Sequence, residues 1–594
     1  MFQLYFTIAV IVLMTIALFK ELYKPSFVLF AALLILHIGQ VVSLQDAFSG
    51  FSNHGMLTVA VLFVVAYALQ NSASFVFIIE RLLGKSKNGL VYFRLMLPVT
   101  FLSAFLNNTP IVASLIPVIK SWAKKNGSPA SKFLIPLSYA SILGGICTLI
   151  GTSTNLVVHG LMLDHGMDGF SFFELGQVGL PVAISGILYF SFIGKHLLPT
   201  RKDVLIKLGE STREFVSEVK VDSQYPFLGK SIQDANLRHL KGLYLFQITR
   251  DHTDITSVSP EEKIHLGDRL FFTGLPETIY ELLKTPGLTL VKDPEFDLQN
   301  MDSDKSKIYE AVISKYSPLA GQNIRDSQFR TKYNAVILAI HRDGQRINKK
   351  VGDIILEPND TLLILAGKVF YKNWYHSTDF SLISPSVSEY SRPQKKSNFA
   401  LLLVVSMIAL VAFGVIKSML LAASVTAAIM IATNIVSMHD AKKAIDFDVL
   451  IAIASSFGIG KAIANSGLAD IVANFFINSL QNFGIIGIIA GLFFLTSFYT
   501  EIITNNAAAA LIFPIMLATA TKLNLDPRPF MIVLAIAASS SFATPIGYQT
   551  NMMVYNPGGY RFTDFIKTGL IMNILVGVVL VFTVYLLFYS SLPV

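Results

Sequence analysis

Two short polar islands interrupt long apolar stretches of this chain, Asn107-Asn108-Thr109 and Thr504-Asn505-Asn506. Asn and Thr side chains both donate and accept hydrogen bonds, so one such island can serve an anion and a cation together. The islands sit in a repeated context. Ser103 and Thr500 precede them by four residues, and Pro117 and Pro514 lie ten residues past Asn107 and Thr504. Further on, Gly151-Thr152-Ser153-Thr154-Asn155 matches Gly547-Tyr548-Gln549-Thr550-Asn551 at nearly equal separation. The bland alternative is that these asparagines only cap and join helices. Buried amides in hydrocarbon are costly, and their recurrence favours binding. Glu501 is the carboxylate beside the second island. It suits cation or proton coupling, or an ion pair with a lysine such as Lys461.

These residues must be held by helices in a membrane. A bilayer core about 30 Å thick needs ~20 apolar residues in helix. The first half offers Leu4–Phe19, Phe27–Leu44, Met56–Ile79, Phe133–Leu163 and Gly176–Leu198; the second offers Ala400–Ile416, Leu420–Met438, Val449–Ile463, Phe530–Met553 and Thr568–Leu587. The island-bearing segments, Leu90–Trp122 and Phe483–Ala520, cannot be ordinary lipid-facing spans, because every polar group at that depth needs a partner. They are predicted to be re-entrant hairpins with their tips inside protein. The fold expected is therefore a polytopic α-helical membrane protein of two repeats, each with five spans and one hairpin. An odd span count before the middle segment makes the repeats inverted, the signature of secondary transporters.

Charge divides the chain the same way. Hydrophobic residues make up 53% and charged residues 14%, which excludes one large soluble enzyme and a disordered chain. Residues 201–396 hold 54 of the 86 charged residues, so a soluble insert of ordinary composition separates two membrane-grade halves. The net charge of +8 lies mostly in short loops beside apolar segments, such as Arg81–Lys87 and Lys120–Lys132. That is a positive-inside pattern rather than a nucleic-acid footprint. It predicts a cytoplasmic insert, both termini outside, and a multi-pass cell-membrane protein, with Lys522 and Arg528 as exceptions. Leu4–Phe19 lacks the flanks of a signal peptide and is read as a retained span. A single cysteine, Cys147, excludes a disulfide framework.

The insert is itself duplicated. Gly229, Ile232, Asp234 and Arg238 recur as Gly321, Ile324, Asp326 and Arg330, and Gly267-Asp268 recurs as Asn359-Asp360, all at an offset of 92 residues. Two small α+β units are predicted, 201–299 and 300–396, between membrane repeats 1–200 and 397–594.

The islands and breaks resemble those of the divalent-anion:sodium symporters, whose hairpins carry paired Ser-Asn-Thr motifs followed by Gly/Ala-Thr-Pro-Pro-Asn breaks. The central Asn is kept in both islands here, and the second break includes Ala543-Thr544-Pro545. The resemblance implies substrate contacts at Asn108, Thr109, Thr154, Asn505, Asn506 and Thr544. It implies Na⁺ ligands at Ser103, Asn107, Asn108 and Gly151, and at Thr500, Thr504, Asn505 and Ala543. The insert resembles tandem RCK-C domains, modules that bind small regulators such as nucleotides in other proteins.

The function expected is Na⁺-coupled symport of a small divalent anion, sulfate or a dicarboxylate, by a homodimer with elevator-like alternating access. A Na⁺/H⁺ antiporter or arsenite-type permease is the alternative within transport. A ligand-gated channel or receptor is the alternative outside it, but no Thr-Val-Gly-Tyr-Gly filter is present. No prosthetic group and no enzyme activity are expected, since no nucleophile–base spacing occurs.

Overall fold

The computed structural model describes residues 1–20, 22–70, 91–201 and 395–590 of the apolar halves and, in the middle segment, most of 216–291 and 307–385. The expected loop Arg81–Lys87 and the end of span Met56–Ile79 lie outside the described residues.

The first half runs α1 (Phe2–Phe19), α2 (Pro25–Ile38), α3 (Leu44–Phe48), α4 (His54–Gln70), α5 (Val91–Ser103), α6 (Asn108–Lys125), α7 (Leu134–Gly145), α8 (Ser153–Asp164) and α9 (Gly176–Phe192). Most are apolar on all sides, which suits helices surrounded by other helices or lipid, while α6 is amphipathic and ends in Lys124-Lys125. Among the described residues, five helical stretches are long and apolar enough to cross a membrane: Phe2–Phe19, Leu44–Ala68, Phe447–Asn465, Leu468–Thr500 and Phe562–Tyr589.

The middle segment forms two five-stranded antiparallel sheets. The first contains β1 (Val216–Val221), β2 (Leu243–Arg250), β3 (Thr253–Thr256), β4 (Arg269–Gly274) and β5 (Leu288–Leu290), in the order β3-β2-β4-β1-β5. The second contains β6 (Lys307–Ile313), β7 (Ala335–Arg342), β8 (Gln345–Arg346), β9 (Thr361–Ala366) and β10 (Phe380–Pro385), with helices α10 (Phe329–Tyr333) and α11 (Val369–Trp374). Its order, β10-β6-β9-β7-β8, is the same arrangement shifted by one repeat. Even the irregularity in register recurs, between Leu245 and Gln247 and between Ile337 and Ala339. A common fixture explains the repeated polar turn: Asp268 takes Arg250 Nε at 2.8 Å, and Asp360 takes Arg342 Nε at 2.8 Å. Each sheet has its own apolar core.

The second half runs α12 (Lys395–Ala412), α13 (Met419–Ala432), α14 (Met438–Ala444), α15 (Phe447–Asn465), α16 (Leu468–Leu480), α17 (Gly484–Thr500), α18 (Asn505–Lys522), α19 (Pro527–Ser539), α20 (Gln549–Tyr555) and α21 (Phe562–Val584). Its element order follows that of the first half. The exception is α16, which has no counterpart among the described residues. The sequence reading missed α16, because Asp470, Asn474 and Asn478 interrupt its apolar run. Two expected spans also divide. Phe133–Leu163 is α7 and α8, and Phe530–Met553 is α19 and α20, each pair joined by an irregular stretch. One apolar core unites the halves: α15 packs on α2 and α18, α18 on α8, α5 on α7, and α9 on α21.

Candidate functional site

Each island opens a helix. Asn107 and Thr504 are the N-cap residues of α6 and α18, and neither makes a side-chain cap hydrogen bond. Thr152 likewise begins α8 without a side-chain cap. The free N–H groups at these three helix starts favour a negative ligand. The short turns 104–107 and 501–504, after α5 and α17, bring the preceding Ser103 and Thr500 back beside the helix starts.

Around Asn108 the polar groups converge. Its amide faces Ser103 Oγ, Ser141 O and Gly151 O at 2.5, 3.0 and 3.3 Å. With Nδ2 turned toward them it donates to these oxygens, and Oδ1 accepts from the Tyr548 hydroxyl at 2.5 Å. With Oδ1 turned toward them, four neutral oxygens gather and Nδ2 donates to Tyr548 instead, at 2.5 Å. Asn108 is buried, so neither orientation leans on bulk water. The second half repeats the geometry: Thr500 Oγ1 lies 2.8 Å from Asn505 Oδ1 and donates to Ala538 O at 2.6 Å. Hydroxyl, amide and carbonyl oxygens of this kind match a hard monovalent cation at an unwound helix.

The two breaks are braced identically. Asn155 Nδ2 donates to Gly145 O and Thr148 O at 3.0 and 2.7 Å; Asn551 Nδ2 donates to Ser541 O and Thr544 O at 3.0 and 3.1 Å. This bracing pairs Gly151 with Gly547 and Thr148 with Thr544. Each island then meets the break of the opposite half. Thr109 Oγ1 donates to Gln549 Oε1 at 3.1 Å, while Ser153 Oγ and Thr154 Oγ1 donate to Asn506 Oδ1 at 3.1 and 3.3 Å.

The residues expected from sequence are thus placed as follows. Ser103, Asn108 and Gly151 come together, as do Thr500 and Asn505. Thr109, Thr154 and Asn506 lie in the contacts between the halves. Asn107 lines a mostly apolar cavity with Phe105, Leu106, Ile150 and Ser153. Thr504 Oγ1 is buried with no hydrogen-bond partner among the described residues. Ala543 and Thr544 face Glu501 instead: their N–H groups donate to its Oε1 and Oε2 at 2.8 and 2.9 Å, and Thr544 Oγ1 donates at 2.7 Å. Asn573 Nδ2 adds a fourth bond at 2.9 Å. Glu501 therefore ties the second hairpin to the second break. Lys461 is not its partner; that lysine pairs with Asp46 at 3.0 Å. Tyr548, Gln549 and the Ser141 carbonyl were missed. The match of Gly547-Tyr548-Gln549 to Gly151-Thr152-Ser153 carried the signal for the first two.

Comparison with known proteins agrees with this architecture. Residues 9–522 and 502–594 match the model of the citrate transporter family. A Chlamydomonas reinhardtii protein named a sulfur deprivation response regulator is 37% identical over 556 residues, covering 91% of this chain and 94% of its own. Sodium/sulfate cotransporter 1 of the same alga is 27% identical, covering 92% and 85%. A sodium-dependent dicarboxylate transporter of Staphylococcus saprophyticus is 28% identical over 145 residues, 24% of this chain and 28% of its own. With apolar helices throughout both halves and a family match along nearly its whole length, the chain belongs to the citrate transporter family, among proteins like the divalent-anion:sodium symporters, and is a multi-pass membrane transporter rather than an enzyme.

Proposed function

We propose that this protein is a Na⁺-coupled symporter of a small divalent anion, sulfate or a dicarboxylate. The observation that carries the reading is the doubled oxygen set, one about Asn108 and one about Asn505, flanking the contacts between the halves. Among the described residues around these tips there is no basic side chain to neutralise a divalent anion. Co-bound cations and helix N-termini supply the balance, which makes anion binding depend on Na⁺. Sodium/sulfate and sodium-dependent dicarboxylate transporters among the relatives support the same pairing of solutes.

In this reading Asn108, Thr109, Thr154, Asn505 and Asn506 contact the anion, with Thr544 nearby. Ser103, Asn107, Asn108 and Gly151 serve one Na⁺, and Thr500, Thr504 and Asn505 the other, with Ala543, whose N–H donates to Glu501, contributing through its carbonyl alone. Glu501 holds the second hairpin to its break rather than carrying a transported ion. Residues 1–200 and 397–594 are inverted repeats whose hairpins move together in an elevator-like cycle within a homodimer. Residues 201–299 and 300–396 are cytoplasmic RCK-C-like units that regulate it, with a nucleotide as candidate regulator. The test is uptake of labelled sulfate, succinate and citrate into proteoliposomes under inward Na⁺ or K⁺ gradients. Uptake of one anion that requires Na⁺ is expected; equal uptake in both gradients rejects the coupling.

A further inference from the structure

The two sheets of the middle segment differ in what holds one buried carboxylate. The 92-residue offset pairs Glu218 on β1 with Glu310 on β6, and both are buried. Glu218 is held inside its own sheet by Arg269 of β4. In the second sheet Thr361 takes the position of that arginine. Glu310 Oε2 instead accepts from Lys120 Nζ of α6 at 2.7 Å. The two side chains are only 5% and 8% exposed. Glu310 Oε1 has no hydrogen-bond partner among the described residues, which concentrates the contact on one oxygen.

Lys120 shares its helix with Asn108, about 18 Å along the axis from it. Strand β10 of the same sheet also packs on α6. A second contact reaches the other side of the site: Asn556, at the end of α20, donates from Nδ2 to the Asn359 carbonyl at 2.8 Å. Helix α20 begins at Gln549. The second sheet therefore holds the far ends of the two helices whose beginnings meet at Asn108–Tyr548 and Thr109–Gln549.

We propose that the second sheet is a clamp on α6 and α20, and that Lys120 and Glu310 are positioning residues that act on transport by holding α6 in place. The proposal rests on the transport reading above. A desolvated ion pair loses its attraction steeply once water enters, and the buried Glu310 carboxylate left alone is unfavourable, so the contact is either made or broken. A contact made in one conformation and not in another biases the cycle by that difference. Holding α6 favours the conformation seen here, and letting go is then a step of each cycle.

The test uses the full chain in liposomes. K120M alone strands the buried Glu310 carboxylate, so K120M/E310Q and the swapped K120E/E310K carry the decision. The double variant is expected to raise the maximal uptake rate at least about fivefold with the anion KM unchanged. It is also expected to speed hydrogen exchange at residues 118–125 and 552–556. The swapped variant should return both readouts to the wild-type values. Unchanged exchange in the double variant, faster exchange with an unchanged rate, or a swapped variant that behaves like the double one overturns the clamp. A wild-type protein that takes up none of the anions removes the function proposed above. Exchange alone then decides the contact, with equal exchange in the double and swapped variants overturning it.

Discussion

At the scale of single residues, the proposed function gives two duties to one side chain in each half. Asn108 and Asn505 each stand beside a cation-type oxygen set and at a helix start suited to an anion. Asn108→Ala and Asn505→Ala should each weaken apparent affinity for both solutes, by roughly tenfold or more, since a hydrogen bond to a charged group is worth about 1.5–3 kcal/mol. Ser103→Ala and Thr500→Ala should shift the Na⁺ dependence of uptake and leave anion affinity at saturating Na⁺ nearly unchanged. Equal shifts in both solutes for Ser103→Ala would contradict the division of labour. Glu501→Gln replaces one acceptor oxygen by a donor facing an N–H or the Asn573 amide, so loss of folded protein is expected rather than a shifted pH profile. Size-exclusion yield in detergent distinguishes the two. The islands were legible in the sequence because polar residues in apolar segments have few other reasons to be there. Tyr548 was marked only by its place opposite Thr152 in the repeated break and was passed over, since an aromatic residue near apolar helices reads as packing. The Ser141 contribution is a backbone carbonyl, and carbonyls leave no mark on a sequence.

At the scale of elements, the irregular stretches between α7 and α8 and between α19 and α20 depend on close backbone approach. A Cβ added at Gly151 would lie 2.6 Å from Gly145 O, and one at Gly547 would land on Ser541 Oγ and 2.9 Å from Glu501 Oε2. Gly151→Ala and Gly547→Ala should therefore each lower the melting temperature in detergent and reduce uptake, with Gly151→Ala the more severe, because the atoms it meets are backbone and cannot rotate away. An unchanged melting temperature for Gly547→Ala would mean the second break relaxes freely. The hairpins and the duplicated sheets could be foreseen because each rests on a spaced polar signature: Asn-Asn in one case, Gly/Asn-Asp in the other. Helix α16 escaped notice for the opposite reason. Polar residues along one side, Asp470, Asn474 and Asn478, kept its run from reading as a span, although their four-residue spacing is itself a helix signal.

At the scale of the whole molecule, the two halves build one core across which each island reaches the opposite break. If the middle segment faces the cytoplasm, Gln322→Cys in a Cys147→Ser background should resist an impermeant maleimide in intact cells and react after permeabilisation. Labelling before permeabilisation would reverse the orientation. Cys147 is buried and donates to Leu143 O at 3.2 Å, so its replacement by serine keeps a donor in place. The pairing of Lys120 with Glu310 has a further consequence. Mobile ions weaken attractions between charges that water surrounds, such as Arg325 and Asp353, whose side chains are 66% and 56% exposed. They do little to a pair from which water is excluded. The join between the second sheet and α6 should therefore be indifferent to ionic strength, so a cell under osmotic stress can concentrate its salts without loosening it.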